Sequence, residues 1–206
     1  MIWNIGFKYL SIALGCLIAT GGALAAACYE ESPAHGKEGD AYFDLPKSAK
    51  LTGTQKRTLE RLVDQIRDEW RGTGGTFLCK GKEGDSRPEE RQYQAKIIVS
   101  SQAGDRLRLE EQRYFTKDRI SNSVTTTLFD KSSSFKVIEL TANRLVLSEK
   151  NRRGGSGAAL WETIHTIGLQ GDGLTYDATR YVNGYLASID RRSYRRGRFA
   201  AKGAGG

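Results

Sequence analysis

From Gly72 onward, turn signals recur along the chain at spacings too short to admit a helix between them. Ala103-Gly-Asp105 separates 92–101 from 106–117, and Ala142-Asn143 separates 135–141 from 144–150. Arg152-Arg-Gly-Gly-Ser-Gly157 opens onto 158–170, Gly171-Asp-Gly173 leads to 174–181, and Asn183-Gly184 leads to 185–194. With 75–80 and 123–129, this gives nine candidate strands. Asn-Gly between Tyr181-Val182 and Tyr185-Leu186 is the strongest hairpin signal, because both residues tolerate the positive φ of a type I′ turn. Strands joined by short turns pair with their chain neighbours, so the expected fold is a mainly β, antiparallel, up-and-down meander. Eight or more such strands can close into a barrel and remove their edges. A two-layer sandwich is the second architecture; it needs longer crossovers than these turns supply.

One helix precedes the strands. Leu59, Leu62, Val63, Ile66 and Trp70 recur at helical spacing, with Thr54 as the expected N-cap and Gly72 as the stop. Residues 28–50 are polar and without periodicity, and are expected to form a partly disordered lead-in. The domain is then 51–196, followed by a disordered tail over 197–206.

The order of a short helix, Trp70-Arg-Gly72-Thr-Gly74, a meander and an Arg-rich last strand resembles the calycin group, which includes lipocalins and fatty-acid-binding proteins. The resemblance implies a lipocalin-like barrel with an interior ligand. It also implies an Arg of the last strand (Arg191, Arg192, Arg195 or Arg196) packed on Trp70. Asp68 stands where the lipocalin Gly-x-Trp signature has Gly, and the helix is longer than in lipocalins.

The amino-terminal residues set the expected compartment. Lys8, the apolar run from Tyr9 and Ala25-Ala26-Ala27 have the three parts of a secretory signal peptide over 1–27. Gly15, Gly21 and Gly22 interrupt the run, and no basic cluster follows it to stop transfer. Cleavage after Ala25 or Ala27 removes Cys16 and leaves Cys28 and Cys79, expected to form a disulfide in an oxidising space. The alternative is lipidation of Cys28, since Leu24-Ala-Ala-Ala27 resembles a bacterial lipobox displaced by one position. The protein is therefore expected in the periplasm or cell envelope, with a lipid anchor at Cys28 as the variant case.

Charge is concentrated at the carboxy terminus. Residues 191–206 hold six basic residues and no acid, whereas residues 28–190 hold 25 bases and 24 acids. Arg191, Arg192, Arg195 and Arg196 are thus candidates for contact with an anionic membrane or envelope surface. In an exported protein, a nucleic-acid partner is not expected.

No catalytic or cofactor motif is present. The two histidines, His35 and His165, lie in no metal-ligand spacing, and Gly154-Gly-Ser-Gly157 lacks the nucleophile-elbow pattern. The chain reads as non-enzymatic, without cofactor or metal. In the strand Trp161–Leu169, alternation puts Trp161, Thr163, His165, Ile167 and Leu169 on one face. Trp161 and His165, with Tyr176 and Arg180 of one parity on the next strand, are the candidate contacts to an interior ligand. A lone His on an apolar face is more often a hydrogen-bonded core residue. The leading reading is an exported barrel that binds a small apolar or lipid-like molecule. The other is an envelope structural or interaction protein with a filled interior.

Overall fold

The computed structural model describes residues 28–45, 50–80, 87–102, 106–154 and 158–196. The signal-peptide and tail readings fall outside these residues. Nine strands form one antiparallel sheet: β1 (Glu69–Lys80), β2 (Arg87–Gln102), β3 (Arg106–Phe115), β4 (Ile120–Leu128), β5 (Ser134–Leu140), β6 (Arg144–Arg153), β7 (Ala159–Gln170), β8 (Gly173–Val182) and β9 (Tyr185–Arg196). Their order is β4-β3-β2-β1-β9-β8-β7-β6-β5. Every strand therefore lies beside its chain neighbour except at one seam, and the first and last strands join. The Asn183-Gly184 turn has φ of 51° and 87°, the left-handed pair that a type I′ hairpin requires.

The seam between β4 and β5 carries no ladder, so the sheet is a curled half-barrel rather than a fully closed ring. The loop between these strands is held in another direction. The Phe129 N–H donates to Glu149 Oε1 of β6 at 3.0 Å, and Asp130 Oδ1 accepts from the Ser132 N–H at 3.0 Å. The first of these bonds ties the loop to β6.

Helix α2 (Gly53–Ile66) packs against β2 and β5. Its cap is Thr52 rather than Thr54: the Thr52 hydroxyl accepts from the Gln55 N–H, and the Gln55 side chain accepts from the Thr52 N–H. The helix also ends four residues before Trp70, which belongs to β1. The helical periodicity continues because the Trp70 indole N–H donates to the Ile66 carbonyl at 2.8 Å, filling a place one turn beyond the last helical residue. Leu59, Leu62, Val63 and Ile66 face the core with Trp70, Leu107, Leu128, Leu145 and Leu147.

The lead-in is ordered over 28–45, contrary to expectation. It forms α1 (His35–Glu38) and a 3-10 turn (Gly39–Phe43) laid on the outer face of the sheet. Tyr42 and Ser32 are wholly buried there, and both donate to Glu162, at 2.9 and 2.7 Å. Ser148 donates to the same carboxylate at 2.9 Å. The Lys150 ammonium lies 4.0 Å from the Tyr42 ring centroid. The Cys28–Cys79 disulfide ties the segment to β1. Polar sequence concealed this order because the segment is held by polar groups meeting one buried carboxylate.

Candidate functional site

Strand register decides what lies inside the curl. Across β1, Trp70, Gly72, Gly74 and Thr76 stand opposite Arg196, Tyr194, Arg192 and Asp190 of β9. On the other side Trp70, Gly72 and Gly74 stand opposite Ile97, Ala95 and Tyr93 of β2, and Glu111 and Arg113 of β3 follow in the same rows. All point inward. Glycine is required at two of these positions. A Cβ at Gly72 would lie 1.9 Å from the Ser193 carbonyl oxygen, and one at Gly74 would lie 2.6 Å from the Tyr93 ring. The backbone of Ser193 and Tyr194 occupies the space beside Gly72, and the Tyr93 ring that beside Gly74.

The result is a charged cluster inside an apolar shell. Glu111, Asp190 and Arg192 are 3%, 1% and 4% exposed, and Arg113 is also buried. Glu111 binds Arg113 at 2.7 Å, Arg192 at 3.0 Å and the Tyr194 hydroxyl at 2.8 Å. Asp190 faces Arg180 at 2.9 Å, Arg192 at 3.2 Å and Arg113 at 3.6 Å, and accepts from the Thr76 hydroxyl. Burial acts to raise the Asp190 carboxyl, but Arg192, Thr76, Arg113 and Arg180 outweigh it and hold it below the ordinary value. Burial acts against the Arg192 charge, yet Tyr176, Glu111, Tyr93 and Asp190 keep the guanidinium cationic. Arg192 stacks on Tyr176 at 4.4 Å and Arg113 on Tyr93 at 5.0 Å. The Tyr93 hydroxyl is buried with no hydrogen-bond partner among the described residues.

Beside this cluster lies a second group. His165 Nδ1 and the Tyr176 hydroxyl share a 3.0 Å hydrogen bond, and His165 Nε2 lies 3.7 Å from Glu149 Oε2. Burial, then Arg180 and Arg192, push the imidazole down to about 3, so it is neutral. Burial pushes the Glu149 carboxyl up to about 7.

The structure brings together His165, Tyr176 and Arg180 from the expected set. Trp161 stands apart at the start of β7, stacked with Arg153 at 5.5 Å. The expected surface arginines divide. Arg191 and Arg195 are exposed, while Arg192 belongs to the interior cluster and is not available to an external surface. Its parity on β9 is that of Asp190 and Tyr194, the inner one. Arg196 lies 4.9 Å from the Trp70 ring and donates to the Gln65 carbonyl at 2.6 Å, joining the last strand to the end of α2. Sequence reasoning missed Tyr93, Glu111, Arg113, Glu149 and Asp190. One signal was available: Glu111 and Arg113 share the parity of Leu107, Leu109 and Phe115.

A cleft of about 840 Å³ touches the cluster's neighbour Tyr93, with Phe115, Arg91, Lys117, Glu89 and Asp118 among its other lining residues. Tyr93 thus lies between the cleft and the arginines. Among the described residues, no group of His, Cys, Asp and Glu is arranged to hold a metal, and no helix is long and apolar enough to cross a membrane. The disulfide is consistent with export.

No protein-family model and no curated protein matches the chain. Among solved structures it is similar to a protein of unknown function from the DUF3598 family of Nostoc punctiforme. That similarity has 16% identity and a TM-score of 0.41, over 66% of this chain and 48% of that one, so this chain matches about half the length of the Nostoc protein. It is also similar to Rv2717c from M. tuberculosis, with 14% identity and a TM-score of 0.41, over 72% of this chain and all of that one. Similarities this shallow carry no function to this chain.

Proposed function

We propose that this is an exported, calycin-like binding protein whose interior receives the anionic head of a small amphipathic molecule. One observation carries the reading: three buried or half-buried guanidiniums (Arg113, Arg180 and Arg192) face two carboxylates, with the unpartnered Tyr93 hydroxyl beside them. A buried polar group without a partner costs roughly 1–3 kcal/mol, and a surplus cation is also unfavourable. An incoming carboxylate or phosphate would relieve both. The cleft that Tyr93 and Phe115 line supplies the approach, and the apolar edges of those two rings suit the rest of such a molecule.

The test compares heads on one chain. The purified protein, stripped of bound lipid in mild denaturant and refolded, is titrated with a twelve-carbon fatty acid and the corresponding alcohol by calorimetry. The acid is expected to bind about tenfold or more tightly than the alcohol, the scale of a charge-assisted hydrogen bond. Tyr93→Phe removes only the unpartnered hydroxyl. It should leave the fold's stability unchanged or slightly higher while weakening acid binding by about tenfold. Equal affinity for acid and alcohol, or no binding of either, refutes the anionic-head reading.

A further inference from the structure

The two strands at the open seam are guarded unequally. On β5, the register with β6 shifts between Val137 and Glu139, Lys136 and Glu139 are charged and exposed, and α2 packs alongside. A bulge, charges and a covering element are the devices that blunt an exposed edge. Strand β4 has none of them. Its register with β3 is unbroken from Leu107↔Leu128 to Phe115↔Ile120. Ile120-Ser-Asn-Ser-Val-Thr-Thr-Thr-Leu128 contains no charge, Pro or Gly, and residues 120–123 and 125 are exposed. Ile120 is 53% exposed, one of the most exposed large apolar residues described. Among the described residues, the strand's other edge faces no partner strand.

We propose that the free edge of β4 pairs with the same edge of a second copy of this chain, antiparallel about Val124. The side chains permit that register. On the outer face, Ser121 lies opposite the partner's Thr127 and Ser123 opposite the partner's Thr125, small hydroxyl pairs that are favourable across strands. On the inner face, Val124 stands opposite the partner's Val124 and Asn122 opposite the partner's Thr126, while the exposed Ile120 falls opposite the partner's Leu128, which its own core encloses. No like charges stand opposite each other, and no side chain interrupts the ladder. The two half-barrels then share one continuous sheet, an isologous interface with two-fold symmetry.

Light scattering coupled to size exclusion, together with sedimentation velocity over a concentration series, reads the association of the full protein. A dimer is expected, with amides of 120–128 exchanging more slowly as concentration rises. Two variants test the register at positions whose side chains are exposed, so the fold is retained and checked by circular dichroism. Ser123→Lys with Thr125→Lys sets two pairs of like charges opposite one another and should raise the dissociation constant by about tenfold or more. Ser123→Glu with Thr125→Lys sets opposite charges across the same register, with the new lysine opposite Glu110 of its own β3, and should restore association. A wild-type protein that stays monomeric overturns the proposal, as does a dimer indifferent to the two lysines or one the Glu/Lys variant fails to restore. None of these readouts depends on ligand binding.

Discussion

Replacing Arg192 with Met tests how far the two interior carboxylates depend on this guanidinium. The side chain is almost fully enclosed, binds Glu111 and Asp190 at 3.0 and 3.2 Å, and stacks on Tyr176. Methionine retains the apolar stem but removes the most enclosed guanidinium of the cluster, one that both buried carboxylates contact directly. Removing one partner of a buried pair costs about 3–5 kcal/mol, because the other charge remains buried. Here Arg113 still reaches both carboxylates, and Arg180 and Thr76 still reach Asp190, which places the expectation near the low end, about 3 kcal/mol. Urea unfolding at pH 7, followed by intrinsic fluorescence, measures it. The pH dependence is the sharper check. Asp190 is held below its ordinary value in the fold, so it contributes stability present above its unfolded pKa and lost as pH falls through the folded one. Without Arg192 that carboxyl rises and its contribution diminishes. The gap between wild type and variant should therefore narrow as pH falls below about 4, the ordinary aspartate value. A loss below about 1 kcal/mol at pH 7, or a gap unchanged by acid, would show that the carboxylates do not depend on this guanidinium.

Four further outcomes are expected. Glu149→Gln should stabilise the protein by about 3 kcal/mol at pH 8, with the difference disappearing below about pH 4, because a carboxyl raised to about 7 loses stability as pH climbs from its unfolded value; equal pH–stability curves would refute this. Trp70→Ala should cost about 3–5 kcal/mol by urea unfolding, since the ring is fully enclosed and joins α2 to β9; a loss under about 1 kcal/mol would remove it from that role. Reduction of Cys28–Cys79, which closes a 51-residue separation, should lower stability by about 4 kcal/mol and speed amide exchange across 28–45; intact mass before and after alkylation also excludes or reveals a lipid on Cys28. Arg191→Gln with Arg195→Gln should leave the melting temperature unchanged, whereas Arg192→Gln should lower it sharply; similar melting shifts would contradict the assignment of Arg192 alone to the interior.

Local periodicity and turn chemistry made much of the fold legible without a structure. The alternation and the short turns define nine strands, the Asn183-Gly184 hairpin and the chain-neighbour pairing, because these depend on residues a few positions apart. The shared parity of Tyr176 and Arg180, and of Trp161 and His165, follows from the same alternation, though not that Arg180 turns inward, and the disulfide follows from cysteine count and compartment. The helix end was misplaced because Trp70 keeps the helical spacing from within a strand. Other features depended on contacts between residues far apart in the chain. Arg192 and Glu111 are 81 positions apart, and their pairing follows from how β9, β1, β2 and β3 lie in register around the glycines of β1. From sequence alone, Arg192 resembles its exposed neighbours; packing alone distinguishes it. The order of residues 28–45 arises likewise from Glu162, which becomes a buried acceptor only when the sheet has formed beneath Ser32 and Tyr42. Periodicity reports which side of an element is buried, whereas the partner of a buried charge is fixed by tertiary register, which no local pattern encodes.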